Sequence, residues 1–452
     1  MAALNQANLR RIFKAYDVRG LVPDELDAGV ARAVGGAFAR FAGAPRILVG
    51  RDMRPSGPEL SDAFMDGITS QGVDAIDLGL IPTDLLYFAC GKLDAPGATF
   101  TGSHNPAAYN GIKMCLAGAK PVGEETGLQD ILATIEAGDL EPAATPGNRS
   151  SMDLLDEYAE HVLSFIDRDG LRPLKVVADT ANGMGGHVLP RVFAALPFDL
   201  DILYPELDGT FPNHPADPIQ PENLKDLQAR VLELGADIGL AFDGDADRVF
   251  LVDEEAQPLS GSTTTAMLAA SILDKHPGQA VIYNLICSRA VPEVIKEHGG
   301  TPIVSRVGHS FIKGVMAEHD AIFGGEHSAH YYFRDNYRAD SGLIAAVLLL
   351  ELLSNAGEPL SALRKPFERY AASGELNTKV DDPQAVIERV AGSFAGQGRQ
   401  NRLDGLTVEF DDWWFNLRPS NTEPLLRLNL EAGTREDCDR RVAEVLALIK
   451  GE

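Results

Sequence analysis

Residues 99 to 106, Thr-Phe-Thr-Gly-Ser-His-Asn-Pro, offer in Ser103 a hydroxyl that could carry a phosphoryl group. Gly102 would let the backbone approach an anion, and Pro106 restrains Asn105 to extended geometry, which favours a rigid turn over a helix. Taken alone, the string also reads as an ordinary polar turn. A second stretch is Asp243-Gly244-Asp245-Ala246-Asp247-Arg248. Carboxylates at i, i+2 and i+4 after an apolar strand can converge, and three together are too repulsive to leave uncompensated. A divalent cation is the natural remedy, with a solvated acidic turn as the alternative. An EF-hand, with Glu254 in its twelfth place, fails because Arg248 stands where the loop needs glycine and Val249-Phe250-Leu251-Val252 reads as a strand. Three hard oxygens with room for a phosphate oxygen suit magnesium.

Two further loops carry recognition chemistry. Phe323-Gly324-Gly325-Glu326-His327-Ser328-Ala329-His330 exposes backbone at its glycines, and its carboxylate and hydroxyl could grip sugar hydroxyls. Arg418-Pro419-Ser420-Asn421-Thr422 gathers a guanidinium, an amide and two hydroxyls, donors that a phosphate needs, although a polar hairpin turn would look the same. Lys113 lies ten residues past Ser103, either as a solvated strand end or, beside a phosphoserine, as a proton carrier for a sugar hydroxyl. His309, in the exit 307–313 after a strand, reads first as a hydrogen-bonded structural residue.

The elements that must position these loops alternate strand and helix. A helix is expected from Asp27 to Phe41, a buried strand over Arg46 to Gly50 and a helix from Pro58 to Gln71. The proline-rich stretch 139–150 reads as a linker. The rhythm restarts with a helix at 153–168 and strands at 174–178 and 237–242, and again with a helix at 263–275 and strands at 280–285 and 301–306. A helix at 341–354 closes the third unit; short strands at 406–410 and 413–417 and a helix at 435–450 describe a smaller α+β domain. The expected domains are therefore 1–150, 151–255, 256–365 and 366–452.

The 452 residues, 45% hydrophobic and 23% charged, suit several domains that each bury a core. A net charge of −26 repels a phosphate backbone and argues against nucleic acid or an anionic membrane as partner. A phosphate substrate would then need a local pocket of arginine and lysine. The four cysteines, Cys90, Cys115, Cys287 and Cys438, are far apart in sequence and form no C-x-x-C, and the N-terminus lacks an apolar signal core. A cytoplasmic protein with free thiols is expected.

The four loops, in this order and over nearly the whole chain, resemble those of the α-D-phosphohexomutase superfamily, within it the bacterial phosphomannomutase/phosphoglucomutase group. The segments 101–106, 243–248, 325–330 and 418–422 correspond to that family's phosphoserine, metal, sugar and phosphate loops. The resemblance implies three mixed α/β domains and a fourth, TATA-binding-protein-like α+β domain around a central cleft. It further implies Mg²⁺ held by Ser103, Asp243, Asp245 and Asp247, and a catalytic set of Ser103, His104, Arg19, Lys113, Arg248 and His309. Substrate would be bound by Tyr16, Glu326, Ser328, Arg418, Ser420, Asn421 and Thr422. The implied reaction moves phosphate between O1 and O6 of a hexose through a glucose or mannose 1,6-bisphosphate, in a monomer or dimer whose partners are small-molecule hexose phosphates. His327 and Ala329 depart from the group's common Gly-Glu-Met-Ser-Gly-His, which leaves mannose against glucose open. Phosphoglucomutase, phosphoglucosamine mutase and a catalytically silent sugar-phosphate binder are the alternatives.

Overall fold

The computed structural model describes residues 6–419 and 425–451, with side chains at all of these except 6, 7 and 309. The chain forms two compact units: residues up to Ser260 together with Ser328–Leu363, and Gly261–His327 together with residues from Arg364 on.

In the first unit, apolar runs such as Ile47-Leu48-Val49 form strands buried on both faces, as parallel sheets require. Strand Arg46–Arg51 pairs in parallel with Asp74–Leu80 and with Gly97–Phe100. Tyr109–Leu116 then returns antiparallel between Gly97–Phe100 and Val18–Leu21. The expected helix near 27–41 is found as Ala28–Ala42, capped by the Asp27 carboxylate, which accepts from Val30 N. It packs with helix Gly57–Ser70 on a core that includes Val34, Phe38, Phe64, Phe100 and Ile112. A second sheet of this unit orders Val249–Asp253, Ile238–Phe242, Lys175–Asp179 and Asp199–Leu203, the last three parallel.

Helix Gly342–Ala356 also belongs to the first unit. It is leucine- and alanine-rich and almost wholly buried, with Ser341 as N-cap. Its Glu351 is buried too and accepts a hydrogen bond from Asp167 N at 2.9 Å, which reconciles a carboxylate with that apolar run.

In the second unit, Ala280–Asn284 pairs in parallel with Thr301–Ser305 and Phe323–Gly325. A five-stranded sheet runs Ala371–Lys379, Leu425–Ala432, Trp413–Pro419, Leu406–Glu409 and Arg399–Asn401, with all its pairings antiparallel. Helices Pro383–Ser393 and Arg435–Lys450 contribute Val390, Cys438 and Ile449 to its core, against Phe415 and Leu428. One local expectation changes. The stretch 307–313 is not a plain loop, because helix His309–His319 begins within it; Ile312 and Met316, one turn apart, are fully buried. Among the described residues no single helix is long and apolar enough to cross a membrane.

Candidate active site

Three of the four chemistry-bearing loops leave the carboxyl end of a parallel strand, the edge where α/β sheets present their ligands. The Ser103 loop follows Gly97–Phe100, the acidic loop follows Ile238–Phe242, and Glu326 follows Phe323–Gly325.

In the first unit, Ser103 is buried and has φ of 48°, a left-handed conformation that costs a non-glycine residue energy and marks a held geometry. Its Oγ donates to Asp243 Oδ2 at 2.9 Å and lies 3.2 Å from His104 Nδ1. Asp243, Asp245 and Asp247 are fully buried, each with a carboxylate oxygen inside one cluster less than 4.8 Å across. Among the described residues, Oδ1 of Asp245 and of Asp247 have no hydrogen-bond partner. Buried carboxylate oxygens left bare are what a hard divalent cation requires, so this donor set fits one. Glu254 is committed elsewhere, accepting from Ser361 N at 3.1 Å, which removes the twelfth ligand of an EF-hand.

Two cations balance the cluster. Lys113 donates to Asp245 Oδ2 at 2.9 Å and to Asp247 Oδ2 at 2.6 Å. Burial disfavours its charge, but Asp245 and Asp247 outweigh burial and hold its pKa well above the ordinary lysine value. Arg248 Nε donates to Asp243 Oδ2 at 2.9 Å. Burial pushes the Asp243 carboxyl well up in spite of Arg248. For Asp245, Lys113 and the Thr83 hydroxyl prevail over burial and keep it below the usual range. Arg248 and Arg19 press the His104 imidazole well below its ordinary pKa, so it is neutral.

Arg19, on strand Val18–Leu21, donates to Gly102 O at 2.8 Å and to Asn105 Oδ1 at 2.5 Å, and pairs with Asp17. Tyr16 is half-buried just before that strand. Ser328 Oγ meets His330 Nδ1 at 3.0 Å, and His330 Nε2 lies 3.8 Å from Asp247 Oδ1.

The second unit assembles a different set. Glu326 Oε1 accepts from Gly308 N at 3.2 Å and Asn284 Nδ2 at 3.1 Å. Burial lowers the His327 pKa, and Ser262 Oγ lies 3.1 Å from its Nδ1. Arg418 is buried at the end of strand Trp413–Pro419, where its Nη2 donates to Glu375 Oε2 at 2.8 Å. Burial lowers the Arg418 pKa, while Glu375 and, more weakly, Glu326 oppose that. His309 begins its helix with its side chain outside the described part, and Ser420, Asn421 and Thr422 lie outside the described residues.

Three contributors escaped the sequence reading. Thr83 holds Asp245 twice, its Oγ1 donating to Oδ2 at 2.6 Å and its backbone N to the Asp245 carbonyl at 3.1 Å. Asp52 and Arg54 lie against the Ser103 loop itself. Their one visible signal was a pair of charges straight after the apolar strand Arg46–Arg51. Gly102 has a further role: a Cβ there would stand 2.4 Å from Arg54 Cζ, so the missing side chain makes room for a guanidinium. Cys90 and Cys115, distant in sequence, are neighbours; burial first and then Cys115 raise the Cys90 thiol well above its ordinary pKa. All four cysteines are unpaired.

A buried serine hydroxyl against three buried carboxylates and two cations is an arrangement able to serve phosphoryl transfer. Models of the phosphoglucomutase/phosphomannomutase α/β/α domains I, II and III match residues 10–141, 156–257 and 260–370, and that of the C-terminal domain matches 375–448. The chain is 40% identical to a phosphomannomutase of Salmonella montevideo, over 97% of this chain and 98% of that one. It is 38% identical to a phosphoglucomutase of Neisseria meningitidis, over 98% of each. A crystal structure of a phosphoglucomutase/phosphomannomutase family protein from Burkholderia thailandensis aligns with a TM-score of 0.90 at 35% identity, covering 99% of this chain and 98% of that one. The chain belongs to the phosphoglucomutase/phosphomannomutase family. It is accordingly a phosphohexomutase, an enzyme of the isomerase class.

Proposed function

We propose that this enzyme is a phosphomannomutase, interconverting mannose 1-phosphate and mannose 6-phosphate through a phosphoserine at Ser103, and that it also accepts glucose phosphates. The observation that carries the reading is the Ser103 hydroxyl 2.9 Å from Asp243 Oδ2 within the three-carboxylate cluster. Asp243, Asp245 and Asp247 with Ser103 would hold Mg²⁺, which when bound supplies charge neutralisation for the phosphoryl group.

In the forward half-reaction the phosphoserine P–Oγ bond breaks as a bond forms to O6 of the sugar, and the O6 proton ends on Ser103 Oγ. The resulting hexose 1,6-bisphosphate reorients. Ser103 then takes the phosphoryl group from O1, whose oxygen regains the proton. Such transfers need positioning and charge neutralisation above all. Lys113, kept protonated by its aspartates, and Arg248 supply fixed positive charge. Neutral His104, 3.2 Å from Ser103 Oγ, is the group best able to pass the proton, a role His309 would share. Glu326 and Ser328 would hold the sugar hydroxyls, Tyr16 would add to substrate binding, and Arg19 would supply further positive charge. Arg418, with Ser420, Asn421 and Thr422, holds the phosphate that is not being transferred. Four buried, unpaired thiols suit a reducing cytoplasm.

The mannose assignment draws on the names of relatives such as the Salmonella enzyme, and the Neisseria relative makes phosphoglucomutase the second reading. The test is kcat/KM for mannose 1-phosphate and glucose 1-phosphate side by side, with Mg²⁺ and glucose 1,6-bisphosphate present. Comparable or mannose-favouring values support the proposal. A strong preference for glucose makes the enzyme a phosphoglucomutase, and turnover of neither sugar directs the test to glucosamine 1-phosphate and then to a silent binder.

A further inference from the structure

Arg54 is among the largest fully buried side chains of the protein, 1% exposed. Its guanidinium spends its donors on the loop that carries Ser103. Nη2 donates to the carbonyls of Ser103 at 2.9 Å and Asn105 at 2.6 Å. Nη1 donates to those of Pro106 and Tyr109, both at 2.8 Å. Asp52 completes the arrangement: Oδ2 lies 3.3 Å from Arg54 Nε and 3.4 Å from Gly102 N, while Oδ1 accepts from Arg54 N at 2.9 Å. The ring of Phe211 covers the guanidinium at 5.2 Å, and a Cβ on Gly209 would stand 2.5 Å from Arg54 Cα. Two glycines thus keep space open around one buried cation.

Residues 101–108, between strands Gly97–Phe100 and Tyr109–Leu116, form an irregular loop whose inward carbonyls need donors from outside a sheet, and burying them bare is costly. A planar fork with fixed donor directions can serve three of them and the first carbonyl of the returning strand at once, each bond strengthened by the positive charge. A lysine, with three donors on one nitrogen, cannot. Arg54 fixes the peptide plane after Ser103 through the Ser103 carbonyl, while Arg19 Nη1 holds the Gly102 carbonyl of the plane before it at 2.8 Å; with both planes held, Ser103 keeps the left-handed φ and its Oγ meets Asp243.

We propose that Arg54, locked by Asp52 and admitted by Gly102, is the positioning residue that holds the Ser103 loop in its phosphoryl-transfer geometry. It touches neither Ser103 Oγ nor the three aspartates in any contact described above, so it acts through the loop backbone. The inference rests on the reading of Ser103 as phosphoryl carrier.

The test measures Arg54→Lys, Gly102→Ala and Ser103→Ala in the full-length enzyme. Readouts are kcat and KM for a hexose 1-phosphate, the rate at which Ser103 is phosphorylated by glucose 1,6-bisphosphate, and thermal unfolding. Displacing a reacting group by about an ångström costs roughly a hundredfold. Arg54→Lys should therefore lose about that factor in kcat and in phosphorylation rate, with KM within about threefold of the parent. Gly102→Ala, which keeps Arg54 but drives a methyl into its plane, should show the same split. A residue needed only for stability would lower the unfolding temperature and leave kcat per folded enzyme intact, and that result overturns the proposal. If Arg54→Lys does not fold, Gly102→Ala decides alone, full kcat again overturning it. Turnover by Ser103→Ala would sink the phosphoserine reading whatever Arg54 does. A silent Ser103→Ala beside a fully active Arg54→Lys would sink this inference only.

Discussion

Asp84 offers a perturbation whose size follows from the structure. It sits in the first turn of helix Thr83–Lys92, fully buried, with the Ser341 hydroxyl donating to its Oδ2 at 2.6 Å. Ser341 in turn caps helix Gly342–Ala356. Burial is the dominant influence on the carboxyl and, with Asp247 and Asp340 adding to it, lifts its pKa from 3.8 to about 8. The folded chain thus keeps a proton that the unfolded chain gives up between those two values. Stability is unaffected by this group below pH 3.8, falls as pH rises through the window, and is flat above about 8. At about 1.4 kcal/mol per unit, the loss reaches roughly 4 kcal/mol at pH 7 as an upper estimate.

Asp84→Asn keeps the shape and the acceptor for Ser341 but carries no titrating proton. Urea unfolding of parent and variant, in metal-free buffer so that the neighbouring acidic loop stays constant, should show the variant's advantage growing from pH 5 to pH 8 by roughly 4 kcal/mol at most. An advantage that does not change with pH, or that shrinks as pH rises, would refute the reasoning.

Three further outcomes are expected. Lys113 occupies Asp245 Oδ2 and Asp247 Oδ2, so Lys113→Met should tighten Mg²⁺ binding by about tenfold or more while lowering turnover; weaker binding would show that the lysine does not compete with the metal. Asp245→Asn should raise the Mg²⁺ concentration needed for half activation by about tenfold or more, and chelation should silence the parent enzyme; an unchanged metal titration would separate this loop from the metal. Arg418→Ala should cost roughly a hundredfold in kcat/KM, and a loss below about threefold would mean that this arginine does not clamp the phosphate.

Much of the fold could be read from local pattern, because local forces decide it. Asp27 caps its helix as its residue type suggests, and the apolar runs at 46–51, 238–242 and 280–284 are strands. The three aspartates converge for an equally local reason, being alternate residues of one tight loop. Helix His309–His319 was hidden because it opens on Gly308-His309-Ser310, residues typical of a turn, and its buried positions are few. Partners across long separations could not be read from local pattern. Arg54 reaches carbonyls 49 to 55 residues away, and Thr83 meets Asp245 across 162. Arg418 stood out in the sequence as a candidate phosphate donor, but its partner Glu375 lies on strand Ala371–Lys379, which the sequence pattern did not mark.

The central claim is that Ser103 itself carries the phosphoryl group, and one measurement addresses it most directly. The enzyme is incubated with phosphorus-labelled glucose 1,6-bisphosphate, digested, and its labelled peptide identified, then chased with unlabelled mannose 1-phosphate. The account predicts label on the peptide containing Ser103, released into hexose bisphosphate at the rate of turnover, and none in Ser103→Ala. Label at another residue, or a Ser103 label that stays through many turnovers, would contradict it.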